Sequence, residues 1–185
     1  CGPHSPLQKM IDYGAKIILL GCGLRMLTAL GILVATQVAA QEESRPSVVD
    51  EGAALAERAA GYSFVEGPAI DATGALFFTD LGNGTINVLG ADGNTSVYRS
   101  SRADAANGLA FDGQGRLYAC EGGSGRITRT DIEGNVAVLA TQFAGARFNS
   151  PNDLALTGNG SVYFTDPFFG SSASQPQPIT GVYHI

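Results

Sequence analysis

The chain contains no tryptophan, three cysteines, two histidines and only 15% charged residues in 185 positions. Three cysteines, at 1, 22 and 120, cannot build a disulfide framework. So few charges beside 44% hydrophobic residues exclude a disordered acidic tail. The 25 glycines follow no collagen period, and no set of long apolar spans marks a multi-pass membrane protein. Lysine stops at Lys16. Beyond residue 40 every basic side chain is an arginine and the sole histidine is His184. Schiff-base chemistry therefore has no amine to use there, and a histidine-centred triad is disfavoured. The net charge of −6 argues against nucleic acid, whose phosphates reward a basic face. Cys120 follows Leu117-Tyr118-Ala119 in an apolar strand pattern and reads as a buried structural thiol. The chemistry that remains rests on carboxylates, amides, arginine and a metal.

What is present begins with a leader. Ile17 to Ala40 is an apolar run broken by Arg25, preceded by Lys9 and Lys16, and it ends in Val38-Ala39-Ala40 before the polar Gln41-Glu42-Glu43. A basic region, an apolar region and a small-residue cleavage site match a secretory signal over residues 1–40, so the protein is expected to be exported, to a periplasm or outside the cell. An uncleaved anchor helix is the other reading of these residues. Residues 41–61 read as a linker or short helix.

From Tyr62 onward the texture changes to short apolar runs punctuated by Gly, Asn and Asp, the pattern of strands and turns. Three segments align: Glu66 to Asp80, Asn107 to Glu121, and Asn152 to Asp166. Each is a strand, a turn with a glycine at 74, 115 or 160, and a second strand, and the first two segments continue into a further hairpin. Four strands per unit at a period of about 40–45 residues is the mark of a β-propeller. The fold expected is all-β, with blades at 62–100, 101–141 and 142–185, about two and a half of them. Alone they expose a sheet edge and half a core, so the span is expected to be the N-terminal part of a longer propeller.

A propeller's first strand lies nearest its axis, so equivalent positions in successive blades form a ring. Those positions hold Glu66, Asn107 and Asn152, all oxygen donors. The second strands finish in register at Asp80, Glu121 and Asp166. Hard cations such as Ca²⁺ favour oxygen sites of this kind, with Mg²⁺ or Zn²⁺ as alternatives. Asp80 and Asp166, ending Phe-Thr-Asp, read instead as turn caps. Glu66 precedes Gly67-Pro68, where no turn propensity accounts for a Glu, and it is the stronger metal candidate. Arg147 and Asn149, on the loop leading into the third inner strand, are candidates to meet a carboxylate or sugar oxygen. The long loop around Pro167-Phe168-Phe169-Gly170 reads as a lid, a pocket wall or an anchor.

The strings Phe64-Val65-Glu66-Gly67-Pro68, Ala106-Asn107-Gly108-Leu109-Ala110, Arg147-Phe148-Asn149-Ser150-Pro151-Asn152-Asp153 and Tyr163-Phe164-Thr165-Asp166-Pro167 resemble the gluconolactonase, senescence-marker and luciferin-regenerating-enzyme family of six-bladed propellers. The resemblance covers residues 62–185. It implies a metal-dependent hydrolase of a sugar lactone, with Glu66 and Asn152 as metal ligands and Arg147, Asn107 and Glu121 near the substrate. It implies two further ligands, an Asn and an Asp, in blades beyond Ile185, the Asp serving as general base. Where the family often carries a histidine after Cys-Glu, this chain has Gly122. A propeller hydrolase of another ester or phosphotriester, or an exported propeller that only binds, are the alternatives.

Overall fold

The computed structural model describes residues 49–50 and 52–185. The leader expected over residues 1–40 lies outside them. Residues 53–62 carry neither helix nor strand and lead directly into the first strand.

Two four-stranded antiparallel meanders follow one another. The first holds β1 (Val65–Ile70), β2 (Leu76–Asp80), β3 (Thr85–Leu89) and β4 (Thr95–Ser100). The second holds β5 (Ala106–Phe111), β6 (Leu117–Glu121), β7 (Arg126–Thr130) and β8 (Val136–Ala140). A small hairpin of β9 (Gln142–Phe143) and β10 (Ala146–Arg147) comes next. The third sheet then runs β11 (Leu154–Leu156), β12 (Val162–Asp166) and β13 (Gly181–His184). Each sheet is a propeller blade. The aligned glycines of the first turns are left-handed, with φ of 87° at Gly74, 77° at Gly115 and 92° at Gly160, a conformation that excludes most side chains. A local cap holds each turn: Asp71 accepts the Thr73 and Ala75 N–H groups, Asp112 those of Gln114 and Arg116, and the Thr157 hydroxyl that of Ser161.

Blades pack face to face. Phe77 and Ile86 of blade 1 meet Leu109, Leu117 and Ala119 of blade 2. Tyr118, Cys120 and Ile127 of blade 2 meet Val162 and Phe164 of blade 3, with Phe148 from the loop between them. A strand covered on both sides cannot alternate in polarity. β6 is accordingly buried at every position, whereas β12, covered on one side, alternates buried and exposed. Cys120 is fully buried, and that burial pushes its thiol well above the ordinary cysteine range, as a structural cysteine requires.

The feature that positions the site is a repeated bulge in the inner strand. Pairing of β1 with β2 shifts register between Glu66 and Ala69, and β5 with β6 shifts between Ala106 and Leu109. The bulged residues turn from their own blade to the next one. The Gly108 N–H donates to the Asn152 carbonyl at 2.7 Å, and the Thr79 hydroxyl donates to the Asn107 carbonyl at 3.1 Å. A Cβ on Gly108 would sit 2.6 Å from the Asp153 Cα, and one on Gly67 would collide with the Asn107 carbonyl.

Blades 1 and 2 share an ionic lock as well. The Glu121 carboxylate, 0% exposed, accepts from Arg99 Nη2 of β4 and Arg126 Nε of β7, each at 2.5 Å, and from the Thr128 hydroxyl at 2.9 Å. Arg126 reaches Asp104 at 3.1 Å. A buried carboxylate so placed is destabilising to lose, because its donors remain.

Two stability outcomes follow. Gly108→Ala is expected to cost about 1–3 kcal/mol by forcing two inner strands apart. Glu121→Ala is expected to cost about 1–3 kcal/mol, because Arg99 and Thr128 lose their acceptor while Arg126 keeps Asp104. Chemical denaturation against the unsubstituted chain measures both, and losses within about 0.5 kcal/mol would contradict this packing.

Candidate functional site

The bulges in β1 and β5 bring Glu66 and Asn107, and the bond from Gly108 brings Asn152 just before β11, to one end of the blades. There Glu66, Asn107 and Asn152 line a single cavity of about 270 Å³, together with Pro68 and Asp153. Glu66 is exposed and the two asparagines are half-buried. The ring expected from the repeat phase is therefore a physical neighbourhood. Glu66, Asn107 and Asn152 border this space, and the backbone around them carries the contact between blades 2 and 3, the Gly108 N–H donated to the Asn152 carbonyl at 2.7 Å.

The donor set is oxygen throughout. Among the described residues no group of three or more His, Cys, Asp and Glu side chains is close enough to hold a metal ion. A cation here would draw on carboxamide oxygens beside the carboxylates of Glu66 and Asp153, a mixture that suits a hard ion such as Ca²⁺ and not a nitrogen- or sulfur-bound one.

Asp153 was not singled out from the sequence, yet it lines the same cavity. Its Oδ1 accepts the Leu154 N–H at 2.8 Å. The signal was the repeat phase: Glu66-Gly67 and Asn107-Gly108 are followed by Asn152-Asp153, a carboxylate where the first two blades hold glycine.

The remaining candidates lie elsewhere. Glu121 is taken up by the lock between blades, so its oxygens are committed to Arg99, Arg126 and Thr128 and do not line the cavity. Arg147 does not line it either: Nε and Nη2 donate to the carbonyls of Ser124 at 3.3 Å and Gly123 at 2.6 Å, stapling β10 to the turn between β6 and β7. Asn149 is 4% exposed, and its amide is spent on the protein. It donates to the Ile179 carbonyl at 3.1 Å and accepts the Gln177 N–H at 2.9 Å. Sequence spacing placed these three near the ring, but a side chain one turn away can serve the loop that carries the ring. The long loop after β12 is thereby anchored. Gln177 adds donations to the Phe143 carbonyl at 3.0 Å and the Ala146 carbonyl at 2.6 Å, while Phe169 stands 74% exposed. At Gly122, a Cβ would lie 2.7 Å from Ser150 Oγ and 3.2 Å from the Pro151 carbonyl, so a side chain there would require Ser150 to turn aside.

Asp80 and Asp166 act as caps. Asp80 accepts the Ser63 and Phe64 N–H groups at 3.0 and 2.9 Å and the Asn83 amide at 2.7 Å. Asp166 accepts those of Asn149 and Ser150 at 2.8 and 2.7 Å. Each grips the segment that leads into its own inner strand. Burial raises both carboxyls. At Asp80 the donors outweigh burial and hold the group below the ordinary 3.8, whereas at Asp166 burial wins and the group sits above it.

Comparison with known proteins agrees with the fold. Residues 64–185 match the family described as SMP-30/Gluconolactonase/LRE-like region. A gluconolactonase of Xanthomonas campestris, described as important in glucose secondary metabolic pathways, superposes with a TM-score of 0.62 at 35% identity, over 67% of this chain and 44% of that one. A putative gluconolactonase superposes at 0.61 with 29% identity, over 69% of this chain and 47% of that one. The calcium-binding protein regucalcin of Agrobacterium tumefaciens shares the fold at a TM-score of 0.53 and 14% identity, over 67% of this chain and 46% of that one. A stretch of 33 residues is 54% identical to a gluconolactonase of Zymomonas mobilis, 18% of this chain and 9% of that one. The fold is thus that of the β-propeller gluconolactonases, and the chain belongs to the SMP-30/gluconolactonase/LRE-like family. It spans less than half the length of these relatives.

The two caps give opposite pH dependences. Asp80 contributes stability that is fully present above pH 3.8 and lost as pH falls through its lower folded value. Asp166 contributes in the reverse sense, its stabilising proton being lost as pH rises from 3.8 through its higher folded value. Denaturation midpoints recorded from pH 3 to 7 should therefore lose part of their acid-side fall in Asp80→Asn and steepen on that side in Asp166→Asn. Parallel curves for all three proteins would contradict the assignment.

Proposed function

We propose that this chain carries part of the active site of a metal-dependent hydrolase that opens a sugar lactone. The observation that carries the reading is the cavity shared by Glu66, Asn107 and Asn152 in a chain of the gluconolactonase family. The Xanthomonas and Zymomonas relatives are named gluconolactonases, which supports a small hydroxylated lactone as substrate.

A divalent cation, Ca²⁺ by the hardness of the donors, would supply Lewis acidity toward the lactone carbonyl and lower the pKa of a water beside it. Glu66 is the anionic ligand from blade 1 and Asn152 a neutral ligand from blade 3. Neutral amide oxygens beside the carboxylates of Glu66 and Asp153 give a hard donor set no more anionic than a divalent cation balances. Asn107, between them on blade 2, has an amide that accepts and donates at once, which suits a sugar hydroxyl. The bulges in β1 and β5 hold the backbone of Glu66 and Asn107, and the bond from Gly108 holds that of Asn152, before any ligand arrives, so binding spends little on ordering it. The basic, apolar and small-residue pattern of residues 1–40 supports export, and the acidic balance of the sequence disfavours nucleic acid as a partner.

The test is direct. Glu66→Gln keeps the shape of the side chain and removes its charge, and is expected to weaken Ca²⁺ binding about 100-fold in calorimetry. Opening of a sugar δ-lactone, followed by acid release, is expected to fall with it and to stop on chelation. Full activity in Glu66→Gln, or in excess chelator, would contradict the assignment.

A further inference from the structure

Two peptide groups follow directly on residues that border the cavity: Asn107–Gly108 in blade 2 and Asn152–Asp153 ahead of β11. The Asn107 carbonyl accepts the Thr79 hydroxyl of blade 1 at 3.1 Å. The N–H of that same peptide group, on Gly108, donates to the Asn152 carbonyl at 2.7 Å. The Asn152 carbonyl in turn shares its peptide group with the Asp153 N–H, which donates to the Thr165 hydroxyl at 3.1 Å. Hydroxyl, peptide, peptide and hydroxyl thus form one unbroken chain across three blades. Both peptide dipoles run the same way round the axis, carbonyl toward the preceding blade and N–H away from it. Bonds linked head to tail in this manner polarise one another.

Thr79 begins the chain. It is 0% exposed, and Cys120 and Thr165 hold the same place in the two later segments. Strand formation at this position asks only for a β-branched side chain, which Val would supply as well. The apolar seam between blades 1 and 2 is made by Phe77, Ile86, Leu109 and Leu117, so cohesion does not call for a hydroxyl either. Blade 2 has a cysteine in that place, a weak donor, and its link to the next blade is made by the backbone of Gly108. The hydroxyl of Thr79 is left with one evident use, which is its bond to the Asn107 peptide.

We propose that Thr79 is a positioning residue for the cavity, acting on Asn107 directly and on Asn152 through the Asn107–Gly108 peptide. The inference rests on the reading of that cavity as a cation and lactone site. A peptide group held at its oxygen and at its N–H resists rotation, so the Cα atoms on either side of it are fixed and their side chains leave the backbone in set directions. Asn152 is held in the same manner, its carbonyl by Gly108 and its N–H by the Thr165 carbonyl at 2.9 Å. Without the Thr79 hydroxyl the first peptide is free at one end, and its bond to Asn152 weakens with it. The effect reaches two ring residues, one of them two blades away.

Three variants of the full chain test this. Thr79→Val keeps the shape and removes the donor, and Thr79→Ser keeps the donor. Thr128→Val removes another fully buried hydroxyl from the same seam, one bonded to Glu121 and outside the chain of peptides. In nitrogen-15-labelled protein the Gly108 and Asp153 amide protons are expected to move upfield in Thr79→Val and to stay in place in the other two. Ca²⁺ affinity by calorimetry is expected to fall about 3- to 10-fold in Thr79→Val, the worth of one net hydrogen bond, and to hold within about 2-fold in Thr79→Ser and Thr128→Val. An Asp153 amide unmoved by Thr79→Val, an undiminished Ca²⁺ affinity in that variant, or an equal loss in Thr128→Val would overturn the proposal. Failure of the unsubstituted protein to bind Ca²⁺ would instead remove the cation reading, and the two amide shifts would still decide whether Thr79 sets the geometry of the cavity.

Discussion

The contact on which the rest of this structure depends is the backbone-to-backbone approach of successive inner strands. A bulge in β1 and another in β5 release Gly67 and Gly108 from their own sheets. Glycine is needed because the neighbouring strand occupies the space a Cβ would take. Once the strands are locked there, the residue before each glycine is fixed at the axis. Glu66 and Asn107 owe their position to that lock, and Asn152 to its bond with Gly108. Precision at the cavity thus comes from backbone geometry and leaves the polar side chains free for a ligand.

The second strands show how one repeat position is put to different uses. Asp80 and Asp166 hold the incoming segments of their own blades, while Glu121, one methylene longer, turns to Arg99 of the preceding blade. The difference is one of reach and partner. An aspartate at the strand end meets adjacent N–H groups, and a glutamate crosses to a guanidinium on another sheet. Blade 2 therefore spends its carboxylate on cohesion between blades, while Arg147 donates to the turn between β6 and β7 and Asn149 to the Ile179 carbonyl ahead of β13, fixing the loop before Asn152. Much of the polar inventory near the site is scaffolding for a small number of ligand-facing atoms.

The architecture was legible because the repeat reports it three times over. Glycines 74, 115 and 160, the strand lengths and the alignment of Glu66 with Asn107 and Asn152 all express one period, and the blades follow it. What the sequence did not disclose is direction. Spacing says that Glu121 ends a strand beside the ring, but only packing shows its oxygens turned outward into an ion pair. Asn149 lies three residues from Asn152 and is buried in the opposite role. Asp153 escaped notice for the converse reason, since its meaning lies in breaking a glycine pattern whose steric cause is visible only between blades. The family resemblance in the sequence matched the comparisons, and the fold they share is the one the bulges build.

The central claim is that atoms far apart in the chain are gathered at one point able to hold a hard cation. Crystals grown with calcium, and with a lanthanide in its place for anomalous scattering, locate that point directly. The account predicts a single strong peak in the cavity, with carboxylate oxygen of Glu66 and amide oxygen of Asn152 both within about 2.3–2.6 Å of it. A peak bound to either residue without the other, or a cation held only at the turns of the blades, would contradict it.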